Sequence, residues 1–266
     1  MKEITSLQNQ VIKDVVALHQ RKNRQESGLF IIEGFKGVKE ALSYGLELTH
    51  IFLNSEKADV KGDFPDEILY IVNEKVLSKI STTDTPCDVL AVAKQFMYET
   101  KDLTRVAQAA NKNPLIIVLE NIKDPGNLGT VIRTAKASAA SGIVLTGEST
   151  DIFNPKVVRS AVGNLWKIPI VEIENKANLR KTLKQLGNFQ FLSTEVRNDN
   201  TKSLYEVDLT KPTVIMFGSE AEGISPELSQ QADFAIKIPM DSDVESLNLG
   251  ISVGVVLYEA LRQRIS

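Results

Sequence analysis

The sequence predicts an α/β protein with two halves, the second of which is built on a mostly parallel sheet. Short apolar runs alternate with amphipathic stretches, a pattern typical of strands joined by crossover helices. The run 115–119 is apolar throughout, as expected of a strand buried on both faces. A polar, weakly patterned stretch precedes that run. We therefore predict a small α/β domain at 1–100, a linker at 101–113 and a larger domain at 114–266.

The first half is predicted to alternate helices and strands. Residues 5–19 have apolar positions at helical spacing, with Ser6 as the expected cap, and a polar stretch follows them. Two further helices are expected at 36–43 and 74–80. The predicted strands are 29–32, 50–53, 68–72 and 89–93.

The second half is predicted to contain the parallel sheet. Its expected strands are 115–119, 142–145, 168–171, 189–192, 214–217 and 234–238. A long apolar helix is predicted at 249–261. Within it, Gly250 and Gly254 are four residues apart, which indicates close packing on a neighbouring element.

Composition excludes several classes of protein. The 266 residues are 42% hydrophobic and 24% charged, with a net charge of -3, so wholesale disorder is excluded. The single cysteine, Cys87, excludes an internal disulfide framework and a multi-cysteine zinc site. The only histidines, His19 and His50, lie in the first fifth of the chain, so chemistry in the second half has no histidine base.

No apolar run approaches the ~18 residues of a membrane helix. The start of the chain lacks the features of a signal peptide. We expect a reducing, cytoplasmic setting and no membrane partner.

Three loops follow predicted strands of the second half, where open parallel sheets place their ligands. They are 120–129, with Arg133 in the next helix, 217–226, and 238–248. Each loop also has a plainer interpretation. The first could be a capped turn with a solvated arginine, and the second a glycine-rich turn with solvated acids. The third could be an acidic loop with Ser246 or Asn248 as a helix cap.

Taken together and in order, the three loops closely resemble the motifs of one known family, the SpoU (TrmH-type) branch of the SPOUT RNA methyltransferases. The matching strings are DPGNLG with Arg133, then GSEAEG, then IPM followed by SLN. The segment 154–163 is also similar, and the resemblance covers about 115–264. The first half resembles the L30e-like substrate-binding domain of such proteins.

This resemblance implies transfer of a methyl group from S-adenosylmethionine to a ribose 2'-hydroxyl of structured RNA, with ribosomal RNA favoured over transfer RNA. It implies a deep trefoil knot in the second domain and a homodimer. No metal is expected to take part.

The resemblance also implies roles for individual residues. The implied catalytic residues are Asn127, Arg133, Glu220, Ser246 and Asn248. The implied cofactor residues are Thr194, Gly218, Ile238, Met240 and Leu247. Glu220 is expected to hold the site together by binding Asn127, Arg133 or backbone amides. Because arginine keeps its proton at neutral pH, we expect Arg133 to stabilise the developing alkoxide while a phosphate or water accepts the proton.

RNA binding must come from local charge, because the net charge is close to zero. The expected contacts are Lys13, Arg21, Lys22 and Arg24, in and after the first helix. Three alternatives stay open: a transfer RNA 2'-O-methyltransferase, a base methyltransferase, and a non-catalytic RNA-binding or ribosome assembly protein on the same scaffold. The presence of all five implied catalytic residues argues against the non-catalytic alternative.

Overall fold

The computed structural model describes residues 2–195 and 201–265. It divides into two compact units. The N-terminal unit runs to Phe96 and also includes Asp151–Gly163, and the C-terminal unit contains Met97–Thr150 and the chain from Asn164 onward. The division therefore follows Phe96, and a later segment of the chain belongs to the N-terminal unit.

The elements of the first 96 residues, in chain order, are β1 (Lys2–Ile4), α1 (Gln10–Ala17), α2 (Arg21–Ser27), β2 (Leu29–Glu33), α3 (Phe35–Tyr44), β3 (Leu48–Asn54), a 3-10 segment (Ser55–Asp63), β4 (Leu69–Val72), α4 (Glu74–Ile80) and β5 (Val89–Lys94). The strands form one sheet in the order β1–β4–β3–β5–β2. Strands β1 and β3 are parallel to β4, whereas β5 is antiparallel to β3 and β2.

The start of the chain differs from the prediction. Helix α1 begins at Gln10, because the Asn9 side chain accepts the Val11 amide at 2.9 Å and caps the helix there. The expected cap, Ser6, accepts the Gln8 amide in the preceding turn instead. Residues Lys2–Ile4 pair with β4 as an edge strand that is too short to show a pattern.

The remaining elements are α5 (Asp102–Ala109), β6 (Leu115–Glu120), α6 (Pro125–Ala137), β7 (Gly142–Thr146), α7 (Pro155–Ser160), β8 (Ile170–Glu172), α8 (Leu179–Lys184), β9 (Gln190–Thr194), β10 (Thr201–Ser203), β11 (Thr213–Phe217), α9 (Pro226–Ser229), β12 (Phe234–Lys237) and α10 (Leu249–Ile265), with 3-10 turns at Leu165–Lys167, Lys176–Asn178 and Leu204–Glu206. Helix α7 lies in the N-terminal unit. Residues 101–113, expected as a linker, include α5, and its Leu103 is buried in the core of the C-terminal unit.

The C-terminal sheet has the strand order β10–β12–β9–β11–β6–β7–β8, and every pairing among its described strands is parallel. The predicted parallel sheet is therefore confirmed. Strands β6, β7 and β11 are buried along their whole length, as the apolar runs that make up most of each strand predict. The carboxyl ends of β12, β9, β11 and β6 are neighbours, so the loops that follow β6, β11 and β12 begin at one edge of the sheet.

Helices α6 and α10 pack closely, as the glycine spacing predicts. A Cβ atom added to Gly250 would lie 3.1 Å from the Thr130 methyl group, and one added to Gly254 would lie 3.8 Å from the Thr134 methyl group. Small residues at these two positions let α10 approach α6. This packing brings the start of α10 beside the start of α6.

Across residues 2–195 and 201–265, no helix is both long enough and apolar enough to span a bilayer.

Candidate active site

Hydrogen bonds join three polar side chains, one from each of the three loops. Glu220 Oε1 accepts from Asn127 Nδ2 at 2.9 Å and from Asn248 Nδ2 at 2.7 Å. Asn248 Nδ2 also lies 3.0 Å from Asn127 Oδ1. We call Asn127, Glu220 and Asn248 the polar cluster. The cluster links the loops after β6, β11 and β12.

Helix ends position two members of the cluster. Asp124 caps α6 by accepting the Asn127 amide at 2.8 Å, and Pro125 occupies the first turn, where its missing N–H costs nothing. Asn248 accepts the Gly250 amide at 2.9 Å, so the same side chain caps α10 and belongs to the polar cluster. Glu220 Oε1 also accepts the Leu249 amide at 3.2 Å, where a negative charge is favoured by the helix dipole.

Gly218 shapes the second loop through its lack of a side chain. Ser219 and Gly223 exchange two backbone hydrogen bonds, which fold the loop back on itself. A Cβ atom on residue 218 would lie 1.9 Å from the Gly223 carbonyl carbon. The loop itself therefore requires glycine at 218, apart from any contact of this residue with a cofactor.

Gly218→Ala is expected to destabilise the loop by about 1–3 kcal/mol, because backbone must move to admit the methyl group. For a protein of this size that corresponds to a lower Tm by several degrees, about 2–4 °C per kcal/mol. Gly62→Ala is the matched control, since nothing lies within 4 Å of its added Cβ. Thermal unfolding checks the result. Equal Tm values for the two variants would show that the loop accommodates the methyl group.

A cavity of about 970 Å³ opens at the carboxyl ends of β9, β11 and β12. Its lining includes all five residues expected to contact the cofactor and two expected catalytic residues. They are Thr194, Gly218, Ile238, Met240, Leu247, Glu220 and Ser246. Asn127 and Asn248 lie outside this lining and reach the cavity through Glu220. The site thus combines a cavity with a polar cluster at its rim.

Arg133 stands apart from the cluster. It lies on α6 six residues beyond Asn127, its side chain is exposed, and it is absent from the cavity lining. It forms no hydrogen bond or ion pair within residues 2–195 and 201–265. Glu220 therefore binds Asn127 and the Leu249 amide, as expected, but not Arg133. The guanidinium is available to a ligand or to another chain.

Glu120 also contributes to the site, although the sequence motifs did not indicate it. Its side chain is 1% exposed at the end of β6, where Oε1 accepts Lys176 Nζ at 2.8 Å and Oε2 accepts the Ser225 amide at 2.8 Å. Burial by itself raises the pKa of the Glu120 carboxyl, but the hydrogen bonds from Lys176 and Ser225 hold the pKa below its usual 4.5. Glu120 thereby anchors the end of the second loop to β6. The sequence signal for this residue was a single acidic side chain at the end of the apolar run 115–119.

The Glu120 interaction is expected to stabilise the protein only above acid pH. Because the folded-state pKa is depressed, the stabilisation is complete above about 4.5 and is lost as the pH falls through the lower folded-state value. Glu120→Gln should therefore lower the free energy of unfolding by about 2 kcal/mol at pH 7, and the difference from wild type should shrink as the pH falls below about 4.5. Urea unfolding can be followed through the single tryptophan, Trp166, which is buried in the C-terminal unit. A pH-independent difference would contradict this assignment.

The residues expected to bind RNA lie in the N-terminal unit and fall into two groups. Lys13, Arg21 and Lys22 are exposed, with Lys22 within 3.8 Å of Glu26. Arg24 is 2% exposed and forms an ion pair with Asp151 at 2.7 Å. Its guanidinium also donates to two backbone oxygens at the end of α1. Arg24 therefore holds the unit together from inside, and we leave it out of the RNA contacts proposed below.

Within the described ranges, 2–195 and 201–265, no group of three or more His, Cys, Asp or Glu side chains is arranged to hold a metal ion.

Known proteins resemble the chain along most of its length. Residues 114–258 match the model of the SpoU rRNA Methylase family, and residues 9–91 match the MRM3-like substrate binding domain. An uncharacterized tRNA/rRNA methyltransferase of Synechocystis is 34% identical over 98% of this chain and 94% of its own. The 23S rRNA (guanosine(2553)-2'-O)-methyltransferase RlmP of Bacillus subtilis is 31% identical over 97% of this chain and 98% of its own.

Solved structures give the same relationship. The structure of an AdoMet-bound rRNA methyltransferase from Sinorhizobium meliloti aligns with a TM-score of 0.87 and 34% identity. The alignment covers 100% of this chain and 99% of that one. The family model matches the half of the chain that contains the cavity and the polar cluster. On these grounds the chain belongs to the SpoU rRNA methylase family.

Proposed function

We propose that this protein transfers the methyl group of S-adenosylmethionine to a ribose 2'-hydroxyl of ribosomal RNA. The observation that carries the proposal is the polar cluster of Asn127, Glu220 and Asn248 at the rim of the cavity. The names of full-length relatives support the same reaction, since RlmP of Bacillus subtilis is a 23S rRNA 2'-O-methyltransferase. Ribosomal RNA would place the protein in the cytoplasm.

The cavity fits the proposed cofactor. Its volume of about 970 Å³ lies at the upper end of the range of small-molecule sites. Ile238, Met240 and Leu247 provide apolar surface for an adenine ring, and Glu245 adds to the lining a negative charge that suits a cationic sulfonium. When bound, S-adenosylmethionine supplies an electrophilic methyl group.

The remaining chemistry falls to the side chains of this protein. A ribose hydroxyl is a weak nucleophile, so it must lose a proton while it is held in line with the methyl group. We assign Ser246, at the cavity wall, to orienting the ribose. Arg133 stabilises the developing alkoxide electrostatically, and an RNA phosphate or water takes the proton. The polar cluster keeps the three loops in register during the reaction.

The finer fold assignment is also a proposal. Membership of the family supports a deep trefoil knot in the C-terminal unit. It also supports an L30e-like fold for the N-terminal unit. The match of residues 9–91 to a substrate-binding domain supports RNA binding by that unit.

A homodimer is proposed from the outer face of α10. Ile251, Tyr258 and Ile265 recur every seven residues along this helix and are 56%, 53% and 73% exposed. Exposed apolar side chains that recur along one helix are typical of a surface covered by another chain, and a two-fold dimer covers it with its own copy. A dimer would also bring Arg133, on the adjacent α6, near a second chain.

Sedimentation velocity tests the dimer. Ile251→Asp with Tyr258→Asp should shift the protein to monomer, because two charges would be buried without partners. Val106→Asp, at an exposed position on α5, is the control and should stay dimeric. A monomeric wild-type protein would contradict the dimer.

The reaction is tested by incubating the protein with tritiated S-adenosylmethionine and protein-free 23S rRNA, with bulk transfer RNA in a parallel sample. The expected result is label in the ribosomal RNA sample, in dinucleotides that resist alkaline cleavage, because a 2'-O-methyl group blocks that cleavage. Label in alkali-sensitive nucleotides would indicate base methylation. Label in transfer RNA alone would indicate that transfer RNA, and not ribosomal RNA, is the substrate. Calorimetry that detects no cofactor binding with or without RNA would favour the non-catalytic alternative.

A further inference from the structure

Two helices cover one face of the N-terminal sheet. Ile12 and Val15 of α1 and Val76, Leu77 and Ile80 of α4 belong to one buried cluster with strand residues of the sheet. The His19 ring, just after α1, also lies 2.9 Å from the Ile80 carbonyl oxygen at the end of α4. Helices α1 and α4 are therefore neighbours with their outer surfaces side by side.

These outer surfaces carry basic side chains. Lys75 and Lys79 are exposed and one turn apart on α4, Lys13 is exposed on α1, and Arg21 and Lys22 are exposed at the start of α2. Counting exposed side chains on α1, α2 and α4, five basic residues face three acidic ones, Asp14, Glu26 and Glu74. We call Lys13, Arg21, Lys22, Lys75 and Lys79 the basic helix surface.

Four of the five charges on the basic helix surface have no carboxylate partner within the described residues, and the fifth, Lys22, lies 3.8 Å from Glu26. Within residues 2–195 and 201–265, Lys13, Arg21, Lys75 and Lys79 form no ion pair. Elsewhere in the N-terminal unit the pairing is mixed, because Lys36 and Lys61 form no ion pair within the described residues whereas three other lysines are matched by carboxylates. The pairs are Lys39–Asp63 at 2.8 Å, Lys57–Asp88 at 3.9 Å and Lys94–Glu47 at 2.5 Å.

Exposed basic groups that have no ion pair within the described residues attract counterions from the solvent. A polyanion that replaces those counterions gains affinity when they are released into solution. Arginine and lysine contacts to the phosphates of RNA orient it without reading its sequence. The chemistry of this surface therefore fits a phosphate backbone.

We propose that the basic helix surface contacts phosphates of the substrate RNA, with Lys75 and Lys79 of α4 as contacts additional to those on α1 and α2. The proposal rests on the function proposed above and locates the RNA on one face of the N-terminal unit. The opposite face, covered by α3, makes no contact with the RNA backbone.

The test is charge reversal on each face. Lys75→Glu/Lys79→Glu alters exposed positions of α4 and leaves its buried residues unchanged. The control, Lys36→Glu/Lys39→Glu, makes the same change in net charge on α3. Binding to protein-free 23S rRNA is measured by filter retention between about 50 and 200 mM salt, and Tm values confirm folding.

Lys75→Glu/Lys79→Glu should bind at least about tenfold more weakly, and its slope of log K against log salt should be shallower by about 2, near 0.9 for each lost phosphate contact. In methyl transfer, its KM for RNA should rise while kcat at saturating RNA stays unchanged. Lys75→Arg/Lys79→Arg should bind like wild type, because the charge is kept. The α3 control should lose less than about twofold.

Two results would overturn the proposal. One is wild-type affinity and slope in Lys75→Glu/Lys79→Glu. The other is an equal loss in the α3 control, which would indicate a general charge effect. These outcomes concern RNA binding alone, whereas failure of the proposed function would appear as a wild-type protein that binds this RNA but transfers no methyl group.

Discussion

Glu220→Ala is expected to slow methyl transfer at least about a hundredfold, equivalent to about 2.7 kcal/mol in the barrier. Its Oε1 atom accepts hydrogen bonds from Asn127 Nδ2, Asn248 Nδ2 and the Leu249 amide. Each hydrogen bond to a charged group contributes roughly 1.5–3 kcal/mol, so the loss of all three frees the three loops from one another. Single-turnover methylation of 23S rRNA measures the effect.

Glu222→Ala is the matched control for Glu220→Ala. It removes a carboxylate from the same loop and the same cavity wall. The Glu222 backbone amide binds Ser219, but no hydrogen bond or ion pair of its side chain is found within residues 2–195 and 201–265. Its rate should stay within a few fold of wild type. Similar losses of rate in the two variants would mean that methyl transfer depends on negative charge in the cavity and not on the polar cluster.

Arg133→Ala is expected to reduce kcat by about 10²–10³, the usual effect of removing one group that stabilises an oxyanion. Its Tm and its affinity for S-adenosylmethionine should match wild type, because Arg133 is exposed and unpaired within the described parts of the chain. Lys136→Ala removes another exposed cation from α6 and serves as control. Arg133→Lys should remain slow, since lysine keeps the charge but lacks the planar fork. Full activity of Arg133→Lys would show that the planar guanidinium is not needed.

Mixing the two inactive variants tests whether Arg133 acts across the proposed dimer. Suppose that each site combines Arg133 of one chain with Glu220 of the other. A heterodimer of one Arg133→Ala chain and one Glu220→Ala chain then contains one site with both native residues. Statistical mixing then restores roughly a quarter of wild-type sites. If both residues act within one chain, no intact site forms and activity stays absent. The measured recovery therefore distinguishes the two arrangements.

Local pattern was sufficient for most of the C-terminal unit. The apolar runs that became β6, β7 and β11 are buried on both faces, and a parallel sheet is the architecture that covers both faces of a strand. The spacing of Gly250 and Gly254 indicated the close packing that α10 makes with α6. A parallel sheet also predicts that the loops after neighbouring strands meet. The three side chains of the polar cluster come from such loops and are hydrogen-bonded to one another.

Pattern failed where partners distant in sequence decide the structure. β1 has three residues and exists because Lys2–Ile4 pairs with β4, nearly seventy residues later. Arg24 reads as one more exposed cation of a basic stretch, yet its charge is matched by Asp151 from the segment that joins the N-terminal unit. No local rule marks either pairing.

By itself the sequence determined most of the strands, the parallel sheet and the three loops, because apolar periodicity and turn residues act over a few neighbouring positions. Only the tertiary structure decided which polar side chains meet. Hydrogen bonds and ion pairs depend on the side chains that folding brings within about 3 Å, whatever their separation along the chain. Tertiary contacts therefore bind Glu220 to Asn127 and Asn248, anchor Glu120 to Lys176, and leave Arg133, Lys75 and Lys79 unpaired within the described residues.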